Sequence, residues 1–466
     1  MTELLLPLRG RAWPLLVVTS SAALAAAVAT GCYLLGVLPV VMAAAAVSYL
    51  VLAVTRPDLA MLGAIALAPF ESVQLPLAGL GGLSPTEGAF LGLAFGWVVR
   101  LAQGRPVALP ELSDLPAIAL VAALVPGVAL DAPVTVVAKL VLMWSAFFLV
   151  SLVARELTRA QLIRLLVVMA LTGAVLAGIG ALDYLTGGGA RVAADGTSVS
   201  GRASAAIEDP NYYGAYLLLT VLPVTGLVVF GVLRRWRRAV IAVAVGVGVT
   251  GVVLSLSRGA LLGLVLGAGL VLLSTRQSRT AVLATSVALV AVTVAGLNPL
   301  LKSRAVEIVD TRLSSITTTS SNNERPLLWS AAVHTVEKHP VFGIGALQFP
   351  EVTQRRGITQ RGRPLDNVHN TFLNLAAELG LVGLGAFLAW LLMIGRALGF
   401  ALRGARWARA AAVGVGAALA GYLLQSLTVS PYQVELIQAT FFLLAGVAYR
   451  LRELATIVDE EPATPA

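Results

Sequence analysis

Fourteen apolar segments, separated by short charged or Gly/Pro-containing breaks, run through this 466-residue chain. They are 13–31, 36–54, 58–70, 84–101, 114–130, 134–153, 161–185, 211–233, 238–256, 259–274, 280–298, 370–397, 407–427 and 432–450. About 20 apolar residues carry a helix across a bilayer, and the helix satisfies its own backbone groups where no water can. The expected fold is therefore an all-α polytopic membrane protein with about 12–14 transmembrane helices. Segment 58–70 is short and reads as a half-helix or re-entrant element. Only 12% of the residues are charged, against about a quarter in an average soluble domain. That excludes a soluble enzyme and a disordered protein. The single cysteine, Cys32, excludes an intrachain disulfide and a cysteine-based metal cluster.

Lys and Arg number 33 and the formal net charge is +9. The cations stand in short clusters between apolar runs, which is the pattern of membrane topology and gives no reason to expect a nucleic-acid partner. With a cytoplasmic N-terminus, the inner segments hold 20 of the 33 cations and 9 of the 24 acidic residues. The short outer turns at 32–35, 71–83, 131–133 and 428–431 carry no Lys or Arg. Both termini are thus expected in the cytoplasm. Arg9 and Arg11 precede an apolar run that continues into further spans, so this run reads as the first transmembrane helix rather than a cleavable signal.

The expected organisation is a transmembrane bundle over 1–200, helices carrying Arg202 and Arg258 over 201–298, an extracytoplasmic loop subdomain over 299–369, and transmembrane helices over 370–452. A disordered cytoplasmic tail follows over 453–466. Two outer segments, 186–210 and 299–369, are much longer than the other turns, and loops of that length usually carry function. Within the larger, 323–339 reads as a helix. Asn323 is a candidate cap and Pro326 suits the first turn. Leu327, Leu328, Ala331, Ala332 and Thr335 form one face, and Pro340 stops the helix. His334 and His339 lie on that helix and read as solvated or structural.

Three elements carry candidate chemistry. Arg258, in LSLSRGALLG, breaks an apolar run at the outer end of two helices. A cation at membrane depth is a functional candidate, and the plainer alternative is a snorkelling turn arginine. In SGRASAAIEDPNYYG, Asp209 or Asn211 caps a new helix with Pro210 in its first turn. Capping does not account for Arg202 beside Glu208 and Asp209. Two arginines from separate outer elements suit a pyrophosphate, because each planar fork donates two hydrogen bonds at once. In DNVHNTFLNLAAE, residues Asn367, Asn370, Thr371, Asn374 and Glu378 fall within an arc of about 100° if all are helical. His369 lies opposite that arc, or in the loop before the first turn, where its imidazole suits a general base. The alternative is a structural histidine bonded to a carbonyl. Ser84-Pro85-Thr86-Glu87 reads as a capping box. Lys139 reads as snorkelling or bound to a lipid phosphate, and Asp183 and Glu435 have no assigned role.

The order of these elements, with ER-x(3)-W…HP-x-x-G-x-G…HN-x-x-L…E-x-G-x-x-G across roughly 200 to 390, resembles the O-antigen ligase and O-antigen polymerase superfamily of bacterial envelope glycan assembly. The resemblance implies a membrane-embedded, inverting, metal-independent glycosyltransferase of the bacterial cytoplasmic membrane with no cofactor. The donor would be a glycan on a polyprenyl pyrophosphate at the outer leaflet, and the acceptor a glycan or lipid hydroxyl. Carried over, Arg202, Arg258 and Arg325 would hold the pyrophosphate and His369 would activate the acceptor. Glu208, Asn211, Asn370, Asn374 and Glu378 would line or brace the site. Polymerase and ligase both fit. A transporter of a lipid-linked glycan or small anion is the alternative, and it predicts inverted repeats and helices broken near the midplane. The sequence shows neither. A structural scaffold would leave Arg258 and the polar stripe unexplained. Oligomeric state is not readable.

Overall fold

The computed structural model describes residues 37–73, 75–77, 81–130, 132–186, 203–207, 209–275, 324–360, 363–365 and 367–455. Arg202, Glu208, Asn323 and segments 13–31 and 280–298 lie outside these, as does the tail past 455. The helices are α1 (Val37–Thr55), α2 (Pro57–Ala66), α3 (Pro85–Ala102), α4 (Leu115–Ala122), α5 (Val134–Arg155), α6 (Arg159–Thr186) and α7 (Pro210–Val229, through a 3-10 turn). They continue with α8 (Arg235–Leu254), α9 (Arg258–Leu273), α10 (Glu324–Lys338), α11 (Phe349–Arg355), α12 (Thr371–Ala401), α13 (Arg406–Gln425) and α14 (Glu435–Leu454). Two short antiparallel hairpins, Leu75–Leu77 with Gly81–Leu83 and Thr359–Gln360 with Arg363–Pro364, are the strands among the described residues. Six helices, α5, α6, α7, α8, α12 and α13, are long and apolar enough to cross a membrane. The chain is an all-α polytopic membrane protein.

Two expected spans fold differently. Segment 58–70 is the 10-residue α2 and a 3-10 turn, Ala68–Phe70. Ten residues rise about 15 Å, half of a hydrocarbon core. Pro69 cannot continue the helix. Segment 114–130 is the 8-residue α4 between 3-10 turns, because Pro116 restricts its start and Pro126-Gly127 ends it. Among the described residues the other segments, 370–397 apart, each hold one helix, and the break at Ser257-Arg258 is real.

Ion pairs fix the sense of the bundle. At one end, Lys139 of α5 stands 4.0 Å from Glu87 of α3 and 3.7 Å from Glu435 of α14. At the other end of the same three helices, Arg100 pairs with Glu156, Arg155 with Asp114, and Arg450 with Glu453. Arg155 also lies over the Tyr449 ring, 4.2 Å from its centroid. Helices α3, α5 and α14 therefore run parallel, with an arginine-rich end opposite the Lys139 end. Lys139 is held by carboxylates, in place of the snorkelling or lipid role. Ser84 and Glu87 form the expected capping box, with Ser84 N donating to Glu87 Oε2 at 2.6 Å. Elsewhere, small residues allow close helix contact: a Cβ on Gly263 of α9 would come within 2.4 Å of the Gly421 carbonyl on α13.

Helix α12 is two helices. Gly380 sits at φ 67°, ψ −171° inside it. The segment Pro340–Gly345 fills the break. Ile344 N and Gly345 N donate to the Ala377 and Glu378 carbonyls at the end of the first half (3.0 and 2.9 Å). Leu381 N and Val382 N, at the start of the second half, donate to the Pro340 and Val341 carbonyls (2.7 and 3.2 Å). These four hydrogen bonds give backbone groups freed by the break new partners, as irregular backbone near lipid requires. Residues 381–401 rise about 31 Å, enough to cross alone. The break therefore falls at the edge of the membrane rather than at its midplane. The single helix expected over 370–397 missed it.

A Cβ at Gly380 would stand 2.2 Å from the Val341 carbonyl oxygen, at a positive φ. Gly380→Ala is expected to cost roughly 2–4 kcal/mol, the sum of a left-handed backbone and an overpacked contact. Thermal unfolding in detergent, followed by circular dichroism, checks this.

Helix α10 runs Glu324–Lys338, close to expectation. Leu328, Ala331, Ala332 and Thr335 are buried, but Leu327 is 54% exposed and so is not part of the packed face. The buried face joins Phe349, Leu365, Val368 and Ala377 in a small core that seats α10 and α11 on the first half of α12.

Candidate active site

Arg258, Asn211 and His369 come from three stretches of chain, and one short segment gathers them: the C-terminal turn of α13, Gln425–Thr428. Gln425 Nε2 donates to the Asn211 carbonyl at 2.7 Å. Thr371 N donates to the Ser426 carbonyl at 2.8 Å. Gly259, beside Arg258, lies so close that a Cβ there would meet Thr428 Oγ1 at 2.6 Å. The partly buried Tyr432, seven residues beyond Gln425, ties this turn to the Lys139 end, since Glu435 follows it three residues later.

The α8–α9 turn is built by its serines. Ser257 N donates to Ser255 Oγ (3.2 Å), and Ser257 Oγ caps Ala260 N (3.4 Å). Leu256 takes φ 50°. The turn leaves Arg258 exposed as the first residue of α9. Ala203 N donates to the Leu254 carbonyl at 3.1 Å, so the chain just after Arg202 is fastened to this turn. Asp209 caps α7, accepting from Asn211 N (2.6 Å) and Tyr212 N (3.2 Å), with Pro210 as the first helical residue.

His369 lies in the loop before α12, at φ 54°. Left-handed backbone is uncommon for a residue with a Cβ, and it concentrates at functional sites. The strain is held by neighbours. His369 N donates to Asn367 Oδ1 (2.9 Å) and Val368 N to Asn374 Oδ1 (2.9 Å). Asn370 Oδ1 caps Phe372 N and Leu373 N at 3.0 and 3.1 Å. The five-residue stripe is thus corrected, because the helix begins only at Thr371. Asn367 is in the loop, where its Nδ2 donates to Tyr212 Oη at 3.3 Å. Asn370 is the cap. Asn374 and Glu378 are buried braces: Asn374 Nδ2 donates to Tyr432 Oη, which donates to Glu378 Oε2 at 2.8 Å.

Arg325, on the first turn of α10, is half-buried. Its guanidinium is pulled below the ordinary arginine value, first by burial and then by the charge of Arg258. Two guanidiniums from separate elements therefore share one electrostatic neighbourhood, which favours an anion between them.

Sequence reading missed Gln425, Ser426, Thr428 and Tyr432. Their one signal was a polar QSLT closing an apolar helix. Tyr432→Phe leaves Asn374 and Glu378 without their shared hydroxyl and is expected to cost about 1–3 kcal/mol. Thermal unfolding of the two proteins checks it.

A comparison with curated proteins gives no match. Residues 241–388, about a third of the chain, match the family model described as O-antigen ligase. The match spans the Arg258 turn, α10, the segment that fills the break, and the His369 loop. Over this stretch the chain is similar to the O-antigen ligase family.

Proposed function

We propose that the chain is a membrane glycosyltransferase that moves a glycan from a polyprenyl pyrophosphate donor to a hydroxyl of a glycan or lipid acceptor. The reaction takes place outside the bacterial cytoplasmic membrane, at the end of the bundle opposite the arginine-rich end. Arg258 and Arg325, with Arg202, bind the pyrophosphate and stabilise the charge that develops on it as the glycosidic bond breaks. His369 removes the acceptor proton as the hydroxyl attacks from the opposite face, so the configuration inverts. Guanidiniums take the place of a divalent metal. The observation that carries this reading is that the half-buried Arg325 feels the charge of Arg258 within a family-matched region that also holds His369.

The positive-inside rule supports the orientation, because Arg100, Arg155, Arg450 and Arg452 collect at the other end. The transporter alternative gains little from the break in α12, which is plugged by backbone and lies near the membrane edge.

Proteoliposomes containing the protein, a polyprenyl-pyrophosphate oligosaccharide and EDTA test the proposal, with products read by mass spectrometry. Longer lipid-linked glycans identify a polymerase, and glycan on a different acceptor identifies a ligase. Substrate crossing the bilayer without any covalent product sinks the transferase reading.

A further inference from the structure

A groove of about 580 Å³ opens between α6 and α8 at the arginine-rich end of the bundle. It plays no part in the proposed reaction. Its rim is basic and its floor apolar. Arg164 on α6 and Arg234 and Arg237 around the start of α8 form the rim. Ile163, Val167 and Leu171 on α6, with Val240 and Ile241 on α8, form the floor. The α6 residues recur at helical spacing, so the apolar strip continues about 10 Å from Arg164 toward the bundle centre.

The rim cations are not spent on protein carboxylates. Those at this end are engaged elsewhere: Asp114 with Arg155, Glu156 with Arg100, Glu453 with Arg450 and Glu111 with Arg452. Among the described residues no ion pair involves Arg164, Arg234 or Arg237. The first turn of α8 contains no acidic residue, so its dipole adds to the same positive potential. Trp236, 63% exposed, lies under the Arg237 guanidinium at 5.2 Å and sits where membrane–water interfaces favour tryptophan. Charge clustering by topology accounts for arginines at this end. It does not account for their convergence from two helices on the mouth of one apolar groove.

We propose that this groove is a binding site for an anionic phospholipid, with the headgroup phosphate on Arg164, Arg234 and Arg237 and one acyl chain along the α6–α8 floor. The pairing of a basic mouth with an apolar slot suits a molecule with an anionic head and a hydrocarbon tail, and basic pockets between transmembrane helices hold such headgroups. A bare anion would leave the floor exposed, and a zwitterionic lipid would set its own cation against the rim.

The test is native mass spectrometry of the full chain, released from nanodiscs of equal phosphatidylglycerol and phosphatidylcholine. Wild type is expected to retain phosphatidylglycerol preferentially. Arg164→Gln/Arg237→Gln should lower that retention roughly tenfold. Arg403→Gln/Arg409→Gln, with the same change in charge at the same end but outside the groove, should not. Val167→Trp, which fills the floor and leaves the arginines in place, should lower retention as well. It keeps the test decisive if the double variant folds poorly. Equal loss in both arginine pairs, unchanged retention in Val167→Trp, or displacement of the lipid by inorganic phosphate would overturn the proposal.

Discussion

His369→Ala is expected to lower glycosyl transfer by about 10²–10⁴, the usual contribution of a positioned general base. The fold should survive. The loop is held by the His369 backbone N–H and by the Asn367, Asn370 and Asn374 side chains, all of which remain. His369→Gly separates chemistry from structure more sharply. Glycine adopts φ 54° without penalty, so this variant should unfold no earlier than wild type while losing the same activity. Initial rates in proteoliposomes and thermal unfolding, measured on both variants, check it. Transfer by the glycine variant within a few-fold of wild type would remove His369 from the mechanism.

Arg258→Ala is expected to cost about 10²–10³ in rate, by analogy with loss of one donor to a developing oxyanion. Arg258→Lys should recover only part of this, since an ammonium cannot make the paired, planar contact of a guanidinium. Stability should not fall in either variant. Ser257 caps the helix and Gly259 packs it, and neither interaction involves the exposed side chain. The alanine variant also removes a repulsion felt by Arg325. A rate loss without a stability loss is what distinguishes a substrate contact from a snorkelling turn residue. If the rate and the melting temperature fall together, the turn-residue reading stands.

The span pattern was legible because lipid imposes one rule on every crossing segment, and hydropathy records it. Two caps were legible for a similar reason: Ser84 and Asp209 satisfy local N–H groups within three residues of themselves, whereas the caps Ser257 and Asn370 were not read as such. What was not legible depends on contacts across the sequence. The break at Gly380 exists only because Pro340–Gly345, some 40 residues earlier, supplies its hydrogen bonds, and no helical period encodes that. The left-handed backbone of His369 depends on Asn374 five residues later and on the Ser426 carbonyl more than 50 residues away. Short helices α2 and α4 were hidden for a different reason. Hydropathy measures apolar length, while their prolines decide how much of it stays helical.

The plugged break in α12 changes what the family signature reports. In HP-x-x-G-x-G and E-x-G, Gly343 and Gly380 are required because the two segments pass backbone against backbone. Those letters are a lock between a surface segment and a membrane helix, and they touch no reacting atom. In the proposed mechanism the chemistry rests on other letters, the His369 imidazole and the arginines. A descendant of this architecture could therefore keep every signature glycine, fold, insert in the membrane and match the family, yet be catalytically silent after one change at His369. The same lock also limits insertions: added residues between Pro340 and Gly345 would pull its hydrogen bonds out of register.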